Sequence, residues 1–416
     1  MRSSSGPGYG PKAGRSAITA GRAREDLIQI LLNDAASAAS CVHRVTSALG
    51  WDFVFDVAEA WNVVPNLRAR LLALGLDLKP QVRQALFLRF QRAFAAATLQ
   101  ARRGVQMCLH LEDRGIPAVV FKGLASLAHL YDGSAAGRMI KDVDLLIRPR
   151  DLAPALEVLQ SAGLQLEDGG SLSDYLAFVR NSPGFGGNEA ITIHGADQAD
   201  LDLHWSFGPR THPELGADAI VARAERVTLF GEAVRVVAPA DGLMLSAHHA
   251  MRETFAADQM LRDVLDTALW LPLLERRGDL TAALRQAEIC RMDVPVRALA
   301  EVVVRRSGRS RIAPPDPRAE RLADLFELQV REGSIAKDLT YLADTHAVRQ
   351  ILSGFLGGWK RYRAQMAAFE TKMSGQPVPL RERLSLRLGE LRHLDGRRWR
   401  MLRTLARVRS AYQRYR

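Results

Sequence analysis

Residues 121–146, FKGLASLAHLYDGSAAGRMIKDVDLL, lead from a Lys-Gly pair through a short helical segment to a strand carrying two carboxylates, Asp142 and Asp144. Side chains at i and i+2 of a β-strand project to the same face, so the pattern predicts that Asp142 and Asp144 point together while Val143 turns to the core. An Asp-x-Asp pair by itself is commonly a solvated face. Here the strand is otherwise apolar (Val143, Leu145, Leu146, Ile147), which predicts a central position, and unpaired carboxylates in a buried strand are costly. Two carboxylates on one such face invite a divalent metal.

Just upstream, Ile116–Phe121 is a short β-rich run ending at Lys122-Gly123, followed by helical Leu124–Tyr131. Gly123 allows close approach of the backbone to a ligand, and the start of the following helix offers free N–H groups at a positive dipole end. Lys122 and Arg138 add charge suited to the same anion, a phosphate.

Downstream, Asp200-Leu201-Asp202-Leu203-His204-Trp205 alternates strictly, placing Asp200, Asp202 and His204 on one face. If this strand lies beside the first, either Asp202 or Asp200 supplies a third carboxylate. Carboxylates so grouped suit Mg²⁺ or Mn²⁺ rather than zinc, and three of them around two ions can hold a triphosphate, activate a hydroxyl and neutralise a leaving pyrophosphate. His204 reads as a partner to a carboxylate or a packed ring, and His248 and His249 as core or interdomain histidines. Asp263 and Asp266 are expected to pair with Arg262 or with histidines across a helix interface.

Four stretches, FKGLASLAHLY, GRMIKDVDLLI, LDLHW and LSAHHAMRETFAADQMLRDVLDTALWL, resemble the uncharacterised bacterial nucleotidyltransferases of the DNA-polymerase-β-like superfamily, over roughly residues 115–275. That resemblance implies an α+β fold with a nucleotidyltransferase-type mixed sheet core between helical N- and C-terminal regions. It implies Gly123 as the phosphate turn, Asp142 and Asp144 as the metal-binding pair and Asp202 as the third acid, all three acids being catalytic. Lys122, Arg138 and the His248 region look like this family's own additions, with Lys122, Gly123 and Arg138 at the nucleotide. The implied reaction moves an NMP from an NTP, ATP among them, to an unidentified small or macromolecular acceptor, with Mg²⁺ or Mn²⁺ as cofactor. Leu124 stands where the superfamily commonly has Gly or Ser, and the interval from Gly123 to Asp142 is longer than usual.

The rest of the chain is read from composition. With 416 residues, 47% hydrophobic and 25% charged, it has room for two or three domains and the balance of a globular protein. No apolar run reaches the length of a membrane span, the richest being Ala268–Leu274, and the first residues lack a secretory signal, so a cytoplasmic protein is expected. Cys41, Cys108 and Cys290 are spaced neither for disulfides nor for zinc. The expected organisation is a flexible basic leader (1–25), a helical region (26–113), the α/β core (114–238), a helical domain packed on it (239–313), and a helical region ending in an Arg-rich tail (318–416).

From Leu380 onward there are twelve arginines and no lysine against three acids, so nine of the eleven net positive charges lie there. Leu384, Leu388, Leu391, Leu394, Leu402, Leu405 and Val408 recur near helical spacing. The tail is therefore expected either as a solvated basic arm or as an amphipathic helix for RNA, acidic lipid or an acidic protein. Two functional alternatives follow: a regulatory module that binds nucleotide or metal without turnover, and an RNA-directed transferase that uses this tail.

Overall fold

A computed structural model describes residues 17–166, 190–194, 200–207, 211–253, 255, 257–332 and 396–413. The Gly- and Pro-rich stretch Asn181–Asn188, whose composition predicts a hairpin loop over a site, and the tail segment 380–395 lie outside the described residues.

Helices α1 (Ala17–Leu32), α2 (Ala35–Leu49), α3 (Trp51–Ala60), α4 (Val64–Ala73) and α5 (Pro80–Glu112) come first. The sequence predicts one helix over Pro80–Glu112, opened by proline where no N–H is needed and stopped at Arg114-Gly115, and α5 has that range, with Gly115 at φ +76°. Helix α1, in contrast, begins inside the stretch expected to be a leader. Its Ala23, Leu27, Ile28 and Ile30 are buried, and this apolar face makes the segment part of the core. At Gly21 an added Cβ would fall 2.2 Å from the Arg331 carbonyl oxygen, so the α1 backbone lies directly against a later helix.

Among the described residues the sheet is mixed and seven-stranded. Its strands are β1 (Val119–Val120), β2 (Val143–Leu146), β3 (Gln165–Leu166), β4 (Ala190–His194), β5 (Asp200–His204), β6 (Glu225–Leu229) and β7 (Glu232–Val236), in the order β3-β4-β5-β2-β1-β7-β6. β2 is central and buried throughout, as its apolar run implies. It pairs antiparallel with β1 and parallel with β5. β6 and β7 form the two-stranded ribbon that the pattern of Arg226–Val237 around Gly231-Glu232 predicts, closed by Phe230 and Gly231, both at positive φ, as a tight two-residue hairpin turn requires. One face of the sheet lies under α5. A Cβ on Gly104 would come within 2.8 Å of Val143 Cγ1, and glycine there lets the helix seat on β2.

Helices α6 (Gly123–Leu130), α7 (Leu152–Ser161) and α8 (Ala217–Arg223) belong to the same part of the chain. They are followed by α9 (Pro239–Arg252), α10 (Ala257–Arg277), α11 (Leu280–Ile289), α12 (Asp293–Ser307), α13 (Pro317–Glu332) and α14 (Gly396–Gln413). Among the described residues no helix is long and apolar enough to cross a membrane. α14 lies within the Arg-rich tail: Met401, Leu402, Leu405 and Val408 are buried, and the helix packs on α13. Its apolar stripe is covered by this chain itself, leaving Arg400, Arg403 and Arg407 exposed. The architecture is α+β, consistent with a nucleotidyltransferase fold.

Candidate active site

Parallel pairing of β2 with β5 sets Asp144 opposite Asp202, and Leu146 opposite His204. Since Val143 faces α5, the alternation of the strand turns Asp144 to the other side of the sheet. The two strands lie side by side as expected, with Asp202 rather than Asp200 opposite Asp144.

His204 joins them. Its Nε2 lies 3.1 Å from Asp144 Oδ1, and its ring meets Phe121 edge-on at 4.9 Å. Asp144, Asp202 and His204 each offer a ligand atom, and the three atoms all lie within 4.8 Å of one another. Two carboxylates and an imidazole at that separation fit one divalent ion. The buried Nδ1 of His204 finds no hydrogen-bond partner among the described residues, so aromatic packing rather than a second hydrogen bond holds that side of the ring. Thr192 donates to Asp202 Oδ1 at 2.6 Å from β4 and orients the second carboxylate.

Asp142 stands apart from this group. The strand begins one residue later than the pattern predicts, at Val143, and leaves Asp142 exposed on the preceding bend. Its charge is still felt by Lys122 and Arg262. The signal for His204 was present in the sequence, since it shares the i, i+2 face with Asp202.

Lys122 supplies the positive charge. Its Nζ donates to Asp144 Oδ1, in an ion pair whose side chains are 28% and 3% exposed. Burial pushes the Lys122 ammonium down, but the charge and hydrogen bond of Asp144, with help from Asp142 and Asp202, outweigh it and hold the group above its ordinary value. Burial likewise pushes Asp144 up, and is overcome by Lys122 and His204, which hold the carboxyl well below its usual range. At Asp202 burial wins and raises the carboxyl, Thr192 opposing it; at His204 burial also wins and lowers the imidazole. The resident charges at neutral pH are thus an ionised Asp144 and a protonated Lys122, beside a neutral His204.

The Lys122 backbone is unusual. It caps α6 at φ +47° and ψ −120°, a region where a side chain costs about 1–3 kcal/mol. Two bonds hold it there: Phe121 N–H donates to the Asp144 carbonyl at 3.3 Å, and Ser126 N–H to the Lys122 carbonyl at 2.9 Å.

Gly123 follows, and what approaches it closely is Arg138. An added Cβ would lie 2.7 Å from Arg138 Nη1 and 2.8 Å from Ile140 Cδ1. Arg138 was expected at the phosphate. It is instead turned into the interior, where its Nε bonds Asp266 of α10 at 3.1 and 2.8 Å; a buried guanidinium needs a buried counter-charge. Ser126 Oγ and Tyr131 Oη donate to the same carboxylate at 2.7 and 3.0 Å. The residues of α10 thus pair across a helix interface as expected, but Asp266 selects Arg138; Asp263 meets His249 Nδ1 at 2.7 Å. His248 is buried, with Phe207 edge-on to it at 5.7 Å.

No curated protein matches the chain. The model of the uncharacterised nucleotidyltransferase family matches residues 47–307, an interval that contains the turn, both strands, Arg138 and Asp266, and the chain belongs to that family.

Proposed function

We propose that the chain transfers a nucleoside monophosphate from an NTP to an acceptor hydroxyl or phosphate, with release of pyrophosphate. The observation that carries this reading is the facing pair Asp144 and Asp202, joined by His204 and set against Lys122 at the start of α6.

In this reading Asp144 and Asp202 hold the metal. Asp142 adds a carboxylate at the rim, and His204 keeps Asp144 oriented through Nε2. A bound Mg²⁺ or Mn²⁺ supplies Lewis acidity and neutralises charge on the triphosphate. Lys122 and the amino end of α6 at Gly123 bind the β- and γ-phosphates. Arg138 acts one step back, bracing the turn from Asp266 rather than touching the nucleotide. Asp202 takes the proton of the acceptor hydroxyl, and Thr192 occupies only its Oδ1. Positioning and charge neutralisation account for most of the rate in such a transfer.

The test is NTP consumption and pyrophosphate release with Mg²⁺ over a panel of hydroxyl and phosphate acceptors, for the native chain and Asp144→Asn. The variant is expected to lose about a hundredfold or more in rate. Equal rates in both would sink the assignment, and nucleotide binding without pyrophosphate release on any acceptor would identify a binding module instead.

A further inference from the structure

Lys122 and a metal ion make the same demand on Asp144. The ammonium and the His204 imidazole both contact Oδ1 of that carboxylate. A divalent ion held by Asp144 and Asp202 has to approach the same buried corner, and a cation at Oδ1 opposes it by charge as well as by volume.

The two partners differ in freedom. Asp144 lies in the central strand, 3% exposed, with its backbone in the ladder. Lys122 is pinned at the main chain by the Phe121–Asp144 and Ser126–Lys122 hydrogen bonds, but its side chain is 28% exposed and has four methylenes that swing about a fixed Cα. The ammonium sits 5.3 Å from the centre of the Phe121 ring. When it leaves Asp144 it remains tethered at the N-cap of α6, beside the helix end that the proposed function gives to the triphosphate.

We propose that Lys122 is a resident counter-ion that a divalent metal must displace from Asp144, and that the nucleotide triphosphate then takes over the released ammonium, so that metal and nucleotide bind cooperatively. This rests on the proposed metal and nucleotide site. Metal alone meets a competing cation and binds weakly. Nucleotide alone meets an ammonium already engaged by a carboxylate. Together each frees the group the other needs, and by linkage each strengthens the other by the same factor. In the metal-free chain the pair also prevents buried Asp144 and half-buried Asp202 from facing each other as bare acids.

The experiment measures Mn²⁺ binding to the full chain by the loss of the free-ion electron spin resonance signal, with and without an α,β-methylene NTP. The variants are Lys122→Met, Lys122→Arg and Asp144→Asn, each checked for folding by circular dichroism. Expected in Lys122→Met is Mn²⁺ affinity without nucleotide raised about tenfold, and loss of the enhancement by nucleotide that the native chain and Lys122→Arg retain. Thermal melting provides the second readout, with Mn²⁺ stabilising Lys122→Met more than the native chain. Mn²⁺ binding that disappears in Asp144→Asn but is unchanged by Lys122→Met, with or without nucleotide, overturns the counter-ion role and leaves the metal site standing. No saturable Mn²⁺ binding to any form overturns the metal site and this inference with it.

Discussion

Arg138 and Asp266 are 128 positions apart in the chain and meet in a buried ion pair, with the guanidinium Nε 3.1 and 2.8 Å from the two carboxylate oxygens. The pair joins the loop ahead of β2 to helix α10, and Ser126 and Tyr131 tie α6 into the same carboxylate. Because Arg138 Nη1 also lies against Gly123, the position of the phosphate turn depends on a residue of a distant helix.

Replacing Asp266 by Ala leaves a buried guanidinium without its counter-charge and two hydroxyls without their acceptor. The expected loss is about 3–5 kcal/mol in urea denaturation. A loss below about 1 kcal/mol, the range of exposed pairs, would show that the network is not structural.

Gly123→Ala tests the close packing of the turn. The new methyl group meets Ile140 Cδ1 as well as a guanidinium that Asp266 prevents from moving, so overpacking is expected to cost about 1–3 kcal/mol. Ile140→Val removes one of the two clashing atoms. The double variant should recover part of the lost melting temperature, and no recovery would place the strain in the backbone.

Acid sensitivity should begin above the carboxylate range. Burial lowers His248 well below its ordinary value, with Arg252, His249, Lys122 and Arg409 adding like charge; burial also lowers His129 and His204. A depressed histidine binds its proton more readily in the unfolded chain. Its contribution is complete above the unfolded value of about 6.5 and is lost as pH falls below it, by up to about 1.4 kcal/mol per pH unit for each group. Melting temperatures measured from pH 7.5 to 5.5 should fall, and His248→Asn should flatten the slope. A level profile in the native chain would contradict the burial of these rings as neutral groups.

The thiols should be inert in the folded chain. Burial pushes Cys108 up to about 12 and Cys290 to about 11, so neither forms appreciable thiolate at pH 8. A disulfide reagent such as Ellman's should leave both unmodified under native conditions and titrate all three cysteines after denaturation. Fast native labelling of Cys108 would mean that α5 opens from the sheet.

Much of the site is legible in the chain as written. The apolar run around Asp144, the glycine after a short strand and the Asp202-Leu203-His204 alternation each follow from local periodicity, and the structure puts all three together. Asp142 lies just before the ladder, since alternation says where a strand runs but not where its ladder begins, and the first ladder pair is Val143 with Leu201. Helix α1 starts at Ala17, ahead of the helical region expected from residue 26, because Ala23 becomes an apolar signal only against its later partners.

What the sequence by itself determined is the set of local elements: the length of α5, the central character of β2, and the facing of Asp202 and His204. These depend on steric and hydrophobic rules acting over a few residues. Only the tertiary structure decided that β5 lies parallel to β2 in a register setting Asp202 opposite Asp144, that Lys122 reaches Asp144, and that Arg138 turns from the nucleotide to Asp266. Pairings across tens to more than a hundred residues are selected by the packing of the whole core and by the cost of burying an unmatched charge, and neither is written in a local pattern.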